Sequence, residues 1–234
     1  MTDAHKIVTH DTWLAARTAF LEKEKEFTRL RDELSEARRA LPWEPVEKHY
    51  VFEGASGKQA LAEVFGARSQ LVVYHFMFDP SWAAGCKSCS FWADNFDHIG
   101  PHLAHRDITF VAISRAPYEK LEGFRKRMGW GFTWLSSSGS DFNFDYGASW
   151  TPEQIASGEV TCNYRKSKPV GSENVGISVF AKDDGGRVFH TYSAYSRGVD
   201  MMNGAYHYID LTPKGRDEGG RNQFWVRRHD EYDT

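Results

Sequence analysis

Residues Leu71 to Cys89 read LVVYHFMFDPSWAAGCKSC, and this segment is the strongest indication of the fold. It opens with an apolar run, residues 71–78, which is typical of a strand buried at the centre of a mostly parallel sheet. A short loop leads to Cys86 and Cys89, and apolar residues at helical spacing follow from Cys89 to Ile99. Strand, loop, Cys-x-x-Cys and helix together predict a dithiol at a helix N-terminus.

Length and charge narrow the class of protein around this stretch. A chain of 234 residues predicts one domain with appendages, or one large and one small domain. The formal net charge of -3, without a large basic block, argues against a nucleic-acid partner. No apolar stretch approaches the roughly 20 residues that span a bilayer, and residues 1–10 lack a signal-peptide core. We therefore expect a cytoplasmic protein with no membrane partner.

The cysteine count fits that expectation. The chain has three cysteines, and a structural disulfide framework is not expected in the cytoplasm. A Cys-x-x-Cys motif in that compartment indicates redox catalysis or metal binding.

Residues 10–41 predict a long helix with a narrow apolar stripe. Apolar residues recur every seven positions, with charged residues between them: Trp13, Phe20, Phe27, Leu34 and Leu41. Such a stripe packs either on its own domain or on a second subunit, so a homodimer remains open. We predict a helical arm over 1–45, a main domain over 46–211 with an insert at 136–175, and a charged tail over 212–234.

The order of the remaining elements predicts a topology. A strand within 46–53 and a helix over 58–65 form a βα extension. From residue 71 the order is strand, helix, strand, helix, strand, strand, helix, at 71–78, 89–99, 107–114, 117–128, 176–182, 187–195 and 199–209. This α/β order, βαβ followed by ββα, is that of a thioredoxin-like core. Right-handed crossovers make the first two strands parallel neighbours, and strand 176–182 then runs antiparallel to the first.

This topology brings several residues to the end of the sheet where the cysteines lie. We expect a site rim there, made of Trp82, Lys87, Val175, Gly176, Tyr195 and Arg197. The insert at 136–175, rich in Ser, Gly, Asn and Asp, begins and ends at the same rim, which favours a lid. Strict alternation along strand 187–195 places His190 and Tyr192 on one face and Ser193 with Tyr195 on the other.

The two sulfurs have different predicted roles. Cys86 is the expected attacking thiolate, because the start of a helix and the neighbouring Lys87 both favour negative charge. Cys89, one turn further in, is expected to resolve the mixed disulfide. Arg197 either holds an anionic group, such as a carboxylate or the glutathione end of a mixed disulfide, or forms a surface salt bridge.

Other chemistries are weaker alternatives. A metal site would draw on His98, His102 and His105, although Gly100 and Pro101 interrupt their helix. A peroxidase loop of the Pro-x-x-x-Thr/Ser-x-x-Cys type is not matched, since Asp79 and Ala83 occupy its first two marker positions. Cys162 is interpreted as a structural cysteine, with a second resolving thiol as its rival role.

The chain also resembles a bacterial domain-of-unknown-function family described as predicted dithiol–disulfide oxidoreductases with a thioredoxin-like fold. The resemblance covers most of the chain and is carried by residues 71–97, 190–193, 197–198 and 206–213. It implies the fold and dithiol chemistry but no substrate. Two positions depart from thioredoxin itself, where a tryptophan precedes the first cysteine and a cis-proline precedes the third core strand. Here those positions hold Gly85 and Val175 or Gly176.

The leading hypothesis is therefore a thioredoxin-like thiol–disulfide oxidoreductase that uses Cys86 and Cys89 without a bound cofactor. Its partners would be a thiol or disulfide substrate and a partner reductase or small thiol that supplies electrons. The alternative is a non-catalytic thioredoxin-fold module that binds a ligand or partner through the 136–175 segment and the seven-spaced helix.

Overall fold

The computed structural model describes residues 5–233 and divides the chain into two compact units, one ending at Pro42 and one beginning at Trp43. The first unit contains helix α1, His10–Arg39, which begins after Thr9, whose Oγ1 accepts a hydrogen bond from the N–H of Thr12. The helix predicted over 10–41 is confirmed, ending two residues earlier. None of its residues is buried within the described structure, and Phe27 is 67% exposed. The homodimer stays a prediction.

The second unit is a mixed α/β domain built on an eight-stranded sheet in the order β1-β10-β9-β4-β5-β6-β2-β3. The strands are β1 Glu44–Pro45, β2 Val51–Gly54, β3 Gly57–Ala60, β4 Gln70–His75, β5 Ile108–Ser114, β6 Thr133–Ser136, β7 Val160–Cys162, β8 Arg165–Ser167, β9 Gly176–Lys182 and β10 Val188–Tyr195. β7 and β8 form a separate two-stranded sheet.

Short helices flank the sheet. They are α2 Leu61–Val64, α3 Lys87–Phe96, α4 Gly100–His105, α5 Tyr118–Arg127, α6 Phe142–Asp145, α7 Pro152–Ala156 and α8 Gly204–Asp210. Two 3-10 turns complete the elements, at Ser196–Met202 and His229–Glu231. Among residues 5–233, no helix has both the length and the apolar character needed to cross a bilayer.

The strand pairing confirms the predicted core. β4 and β5 are parallel, with Val73 opposite Val111, and β9 runs antiparallel to β4, with Val73 opposite Ser178. β10 returns antiparallel to β9, and β6 adds a third parallel strand beside β5. The fold is thioredoxin-like. The predicted βα extension is instead a β2–β3 hairpin followed by the single turn of α2.

Successive side chains of a strand point to opposite faces of the sheet, so the side chains of β4 and of Phe76 just after it pack alternately into two separate hydrophobic cores. On the α3 face, Tyr74 and Phe76 pack with Trp92 and Phe96 of α3. On the α6 face, Leu71 and Val73 pack with Phe142 of α6. Burial of a large apolar side chain contributes about 1.5–3 kcal/mol, so both faces stabilise the central strand.

The cysteine helix differs from its prediction at both ends. It begins at Lys87 and ends at Phe96, and the chain then turns through His98, whose φ is 71°. Gly100 and Pro101 begin α4, where a proline is tolerated in the first turn, instead of ending the preceding helix. His98 and His102 therefore do not share one helix.

Two other local predictions were wrong. A bulge between His190 and Tyr192 shifts the register of β10, so His190 lies on the same face as Ser193 and its Nε2 is 2.7 Å from the Ser193 Oγ. The last helix is divided at Asn203, whose side-chain oxygen accepts the N–H of Tyr206 and caps α8.

Residues 212–233 fold back onto α3 within the same compact unit. Val226 is fully buried, and the Trp225 ring packs edge-on against Phe91 of α3, with ring centroids 5.5 Å apart. The guanidinium of Arg216 lies 3.8 Å from the centre of the Tyr206 ring. The segment predicted as a charged tail thus forms part of the domain surface beside the cysteines.

Candidate active site

Cys86 is the residue that caps the N-terminus of α3. Its backbone is extended, its N–H donates to the carbonyl of Met77 at 3.1 Å, and its carbonyl accepts the N–H of Ser90 at 2.9 Å. The first contact ties the residue to the chain that continues from β4, and the second starts the helix. The Cys86 side chain is partly buried at this junction.

The environment of Cys86 favours its thiolate. A hydrogen bond from the Cys89 side chain is the largest influence and lowers the pKa of Cys86 to about 6. Burial opposes this effect, whereas the backbone N–H groups of Cys89 and Ser88, at the start of the helix, lower the pKa further. A thiolate at neutral pH is the form that attacks a disulfide.

Cys89 is the opposite case. Its side chain is 1% exposed, and its Sγ accepts a hydrogen bond from the N–H of Met77 at 3.4 Å. Burial raises the pKa of Cys89 well above its ordinary value, and the neighbouring Cys86 raises it further. The two cysteines form no disulfide here, and their pKa values are shifted in opposite directions, lowered for Cys86 and raised for Cys89.

Tyr74 lies beside the Cys89 sulfur on the α3 face. Its hydroxyl is buried, and among residues 5–233 it has no hydrogen-bond partner of good geometry. Burial raises the pKa of Tyr74 well above its ordinary value, with Cys89 as the next cause, so the hydroxyl keeps its proton. This leaves a neutral O–H donor next to the buried sulfur.

The position immediately before Cys86 requires glycine, because there is no room for a side chain at Gly85. A Cβ on this residue would lie 2.8 Å from Phe76 and 2.9 Å from Phe124. The thioredoxin-type tryptophan that the sequence lacks at this position would not fit without repacking both rings.

Arg228 holds the other side of the same peptide. Its Nη2 and Nε donate to the Gly85 carbonyl at 2.7 and 3.2 Å, and its Nη1 contacts Glu231 at 2.8 Å. The peptide bond that enters Cys86 is therefore held by Met77 on its N–H side and by Arg228 on its carbonyl side. Sequence reasoning missed Arg228, because it lies 143 positions from its partner.

A cavity of about 240 Å³ adjoins Cys89. Most of its wall is apolar and comes from β4, α3 and the segments around β9 and β10: Tyr74, Met77, Trp92, Val175 and Val199. Arg197, Asp200, Asn222 and Gln223 stand at its polar side. We call this space the Cys89 cavity. It is smaller than a typical drug-sized ligand pocket, so it suits a small group.

The structure distributes the predicted rim residues over several places. Val175 and Arg197 line the Cys89 cavity, where Arg197 is paired with Asp200 at 3.0 Å. Tyr195 lines a different cavity, and its ring covers Gly176 so closely that a Cβ there would lie 2.4 Å from Cδ1. Trp82 packs against the α3-face core, and Lys87 occupies the first turn of α3.

Cys162 ends β7 in the insert and is not among the residues lining the Cys89 cavity. Among residues 5–233, no group of three or more His, Cys, Asp or Glu side chains is arranged to hold a metal ion.

A partly buried ion-pair cluster connects the loop between β4 and α3, which carries Cys86, to the insert. The Arg115 guanidinium contacts Asp79 at 2.6 Å and also Glu173, and Ser172 donates to Asp79 at 3.0 Å. Burial raises the pKa of Glu173 to about 7, with Arg115 opposing the shift. The end of the insert is thereby fixed next to the loop that carries Cys86. No local sequence pattern predicts this connection, because its residues are far apart in the chain.

Comparison with solved structures finds remote likenesses. The chain is similar to a Xanthomonas campestris bacterioferritin comigratory protein studied for alkyl peroxide reduction, with 12% identity, a TM-score of 0.44, and 66% of this chain and 88% of that chain covered. Peroxidoxin BcpB from Mycobacterium tuberculosis is 14% identical with a TM-score of 0.43, and the match covers 72% of this chain and 97% of that chain. A putative thiol:disulfide interchange protein DsbE from Chlorobium tepidum is 14% identical with a TM-score of 0.40, and the match covers 75% of this chain and 100% of that chain. These scores are too low to transfer chemistry.

No curated protein matches the chain. A family model described as bacterial protein of unknown function, DUF899, matches residues 2–232. This span includes the cysteine loop, the insert and the C-terminal segment that carries Arg228. The chain belongs to the DUF899 family of bacterial proteins of unknown function, and its fold is thioredoxin-like.

Proposed function

We propose that the protein catalyses thiol–disulfide exchange through Cys86 and Cys89. The observation that carries the proposal is the opposite ionisation of the two sulfurs. Cys86, at the start of α3, has a pKa lowered to about 6, chiefly by its hydrogen bond from Cys89, whereas burial raises the pKa of Cys89. A partly exposed nucleophile beside a buried second thiol is the arrangement that supports exchange.

The exchange proceeds in two balanced steps. The Cys86 thiolate attacks one sulfur of a substrate disulfide, the substrate S–S bond breaks, and one substrate thiolate leaves. Cys89 then loses its proton and attacks the Cys86 sulfur, which breaks the mixed disulfide and releases the second thiolate. The protein ends as a Cys86–Cys89 disulfide and the substrate has gained two electrons. A small thiol or a partner reductase returns the dithiol, and the reverse sequence oxidises a substrate dithiol.

The Cys89 cavity supports a substrate with a small apolar group next to its reacting sulfur. Trp92, Val175 and Val199 offer it apolar contacts, and about 25 cal/mol is gained for each Å² of apolar surface removed from water. Arg197 is 83% exposed, and Asp200 is its one salt-bridge partner within residues 5–233, so Arg197 is available to an anionic part of the substrate.

The test is reduction of an aromatic disulfide that releases a coloured thiol, with dithiothreitol as the electron source. We expect the wild-type protein to accelerate release above the free dithiol, Cys86→Ser to abolish the acceleration, and Cys162→Ser to retain it. Cys89→Ser should instead accumulate a mixed disulfide at Cys86 that mass spectrometry detects. A wild-type rate equal to that of dithiothreitol alone, or an unchanged rate in Cys86→Ser, contradicts the proposal.

A further inference from the structure

A second cavity, of about 350 Å³, lies between the insert and β10. Its walls include Glu44, Tyr146, Trp150, Tyr164, His190 and Tyr195, and we call it the Tyr146 cavity. The rings of Tyr146 and His190 both pack on Phe180, at centroid distances of 5.1 and 5.5 Å, and Phe180 belongs to the α6-face core. The sheet therefore separates this cavity from Cys89.

The aromatic walls are held in place by their own contacts. Trp150 and Tyr195 are each 7% exposed. The Tyr195 hydroxyl donates to the Tyr146 carbonyl, and the Tyr164 hydroxyl donates to the Ser193 carbonyl at 3.1 Å. Both hydroxyls are therefore already engaged as donors.

Among residues 5–233, the charged residues that line the cavity are the carboxylates Glu44 and Asp145, and no lysine or arginine lines it. Lys48 contacts Asp145 at 2.7 Å and offsets part of that charge. Glu44 is 78% exposed, and the charged or ionisable partner near it is His190, at 3.5 Å, too far for a strong hydrogen bond. Burial is the main cause that raises the pKa of Tyr146, and the nearby Tyr50, Glu44 and Asp145 raise it further.

His190 is fixed from inside the sheet. Its Nε2 is 2.7 Å from the Ser193 Oγ, which is 2.7 Å from the Ser178 Oγ, which in turn is 2.8 Å from the Nε2 of the buried His75. This row occupies the inner nitrogen of His190. The outer nitrogen, Nδ1, is thereby turned towards Glu44. Because the Glu44 carboxylate contacts His190 only at 3.5 Å, it can still accept a hydrogen bond from another donor.

We propose that the Tyr146 cavity binds a small organic cation, an amine or a quaternary ammonium group. The cation would sit against the rings of Tyr146, Trp150 and Tyr164, whose quadrupoles attract positive charge, and next to the Glu44 carboxylate. An anionic ligand would meet two carboxylates and no lining cation, which disfavours it. The site goes beyond the exchange reaction, because it lies on the other face of the sheet and uses neither sulfur.

The test uses two probes of the same shape, choline and its uncharged isostere 3,3-dimethyl-1-butanol, measured by isothermal titration calorimetry on the full chain. We expect choline to bind with a Kd of about 1 mM or tighter. The isostere should bind at least about fivefold more weakly, because a cation–π contact at a partly exposed site has roughly that effect.

Variants locate the binding. Glu44→Gln removes the charge at constant shape, and Tyr164→Ala removes a ring that is 69% exposed and so contributes little to folding. Each should weaken choline binding by about fivefold or more. Glu119→Gln, an exposed carboxylate on α5, and Cys86→Ser should both bind choline as the wild type does.

Three outcomes overturn the proposal. They are equal affinity for choline and its isostere, no choline binding in the millimolar range, and unchanged affinity in both Glu44→Gln and Tyr164→Ala. Because the Cys86→Ser protein is part of the measurement, loss of the exchange reaction and loss of cation binding are read separately.

Discussion

The two faces of one sheet enclose cavities of opposite character. On the α3 face, the Cys89 cavity of about 240 Å³ has mostly apolar walls and a sulfur at its base. On the α6 face, the Tyr146 cavity of about 350 Å³ is lined by aromatic rings, amides and two carboxylates. We propose that the first cavity serves reaction of a small group at a thiol and that the second binds a cation without reacting with it.

The difference begins with two consecutive residues of β4. Tyr74 points to the α3 face, beside Cys89, and His75 points to the α6 face, where its Nε2 meets Ser178. Burial is the main cause of both pKa shifts, yet it raises the pKa of Tyr74 and lowers the pKa of His75 to about 3. In each case burial disfavours the charged form, so both side chains are neutral near pH 7.

Removal of the second sulfur should have the largest effect, and only on the α3 face. Cys89→Ser should lower steady-state disulfide reduction by on the order of a hundredfold or more, because the mixed disulfide at Cys86 is no longer resolved internally. The first attack should persist as a single turnover. His75→Gln, on the other face, is the matched control and should keep steady-state turnover. Equal losses of steady-state disulfide reduction in the two variants would contradict the claim that exchange depends on the α3 face alone.

A second prediction concerns the packing of the α3 face. Gly85→Ala should lower the free energy of unfolding by about 1–3 kcal/mol, because the added Cβ meets Phe76 and Phe124 below 3 Å. Gly123→Ala is the control, since a Cβ there meets nothing within 4 Å and the residue lies inside α5. That variant should be stabilised by about 0.5–1 kcal/mol. Urea unfolding measures both, and a neutral Gly85→Ala would contradict the close packing.

A third prediction concerns pH on the α6 face. In the unfolded chain a histidine binds a proton below pH 6.5, whereas His75 in the fold stays neutral down to a pKa of about 3. The unfolded state therefore binds more protons in this window, and stability falls as pH drops from 6.5 towards 3. The contribution of His75 approaches about 1.4 kcal/mol per pH unit.

Denaturant unfolding at neutral and acidic pH tests this in His75→Gln. The free-energy difference between wild type and variant should shift in favour of the variant as pH falls. His102→Gln, which changes an exposed histidine, should parallel the wild type. Parallel curves for wild type and His75→Gln would mean that the folded His75 accepts a proton normally.

The smallest expected effect belongs to Arg228→Met. Loss of the contacts to the Gly85 carbonyl should slow alkylation of Cys86 by about two- to fivefold, the equivalent of one net hydrogen bond. The pH midpoint should stay in place, because Arg228 positions the peptide and is not among the main causes of the low Cys86 pKa. Arg221→Met, an exposed arginine of the same segment, should react like the wild type. A shifted midpoint would instead indicate direct stabilisation of the thiolate by charge.

Local patterns were sufficient for the core of the molecule. The β4–α3–β5 unit was predicted from the apolar run that ends near Phe78, from the cysteine spacing and from the alternation of strands and helices. These signals are local, because the spacing of apolar residues along a strand or helix can be seen within a short stretch of sequence. The structure of the insert was harder to predict from the sequence. Its helices α6 and α7 have only about one turn each, and their stability comes from packing of side chains such as Phe142 and Trp150.

The parts that escaped prediction depend on distant contacts or single insertions. The extra residue at Thr191 shifts the rest of β10 by one position, and no residue type announces such a bulge. Arg228 reaches Gly85 only because Val226 and the Trp225 ring anchor the C-terminal segment on the domain. Of the predicted rim, Val175 and Arg197 line the Cys89 cavity, whereas Tyr195 lines the Tyr146 cavity on the other face.

The central claim is that Cys86 is an activated nucleophile paired with a protected Cys89. The most direct measurement is the pH dependence of alkylation of the reduced protein by iodoacetamide, with the modified cysteine identified by mass spectrometry. We expect Cys86 to react first, with a midpoint near pH 6, and the midpoint to rise in Cys89→Ala, which removes the hydrogen bond that lowers the pKa of Cys86 most. A midpoint at the ordinary thiol value of about 8.5, or faster reaction at Cys89 than at Cys86, would contradict it.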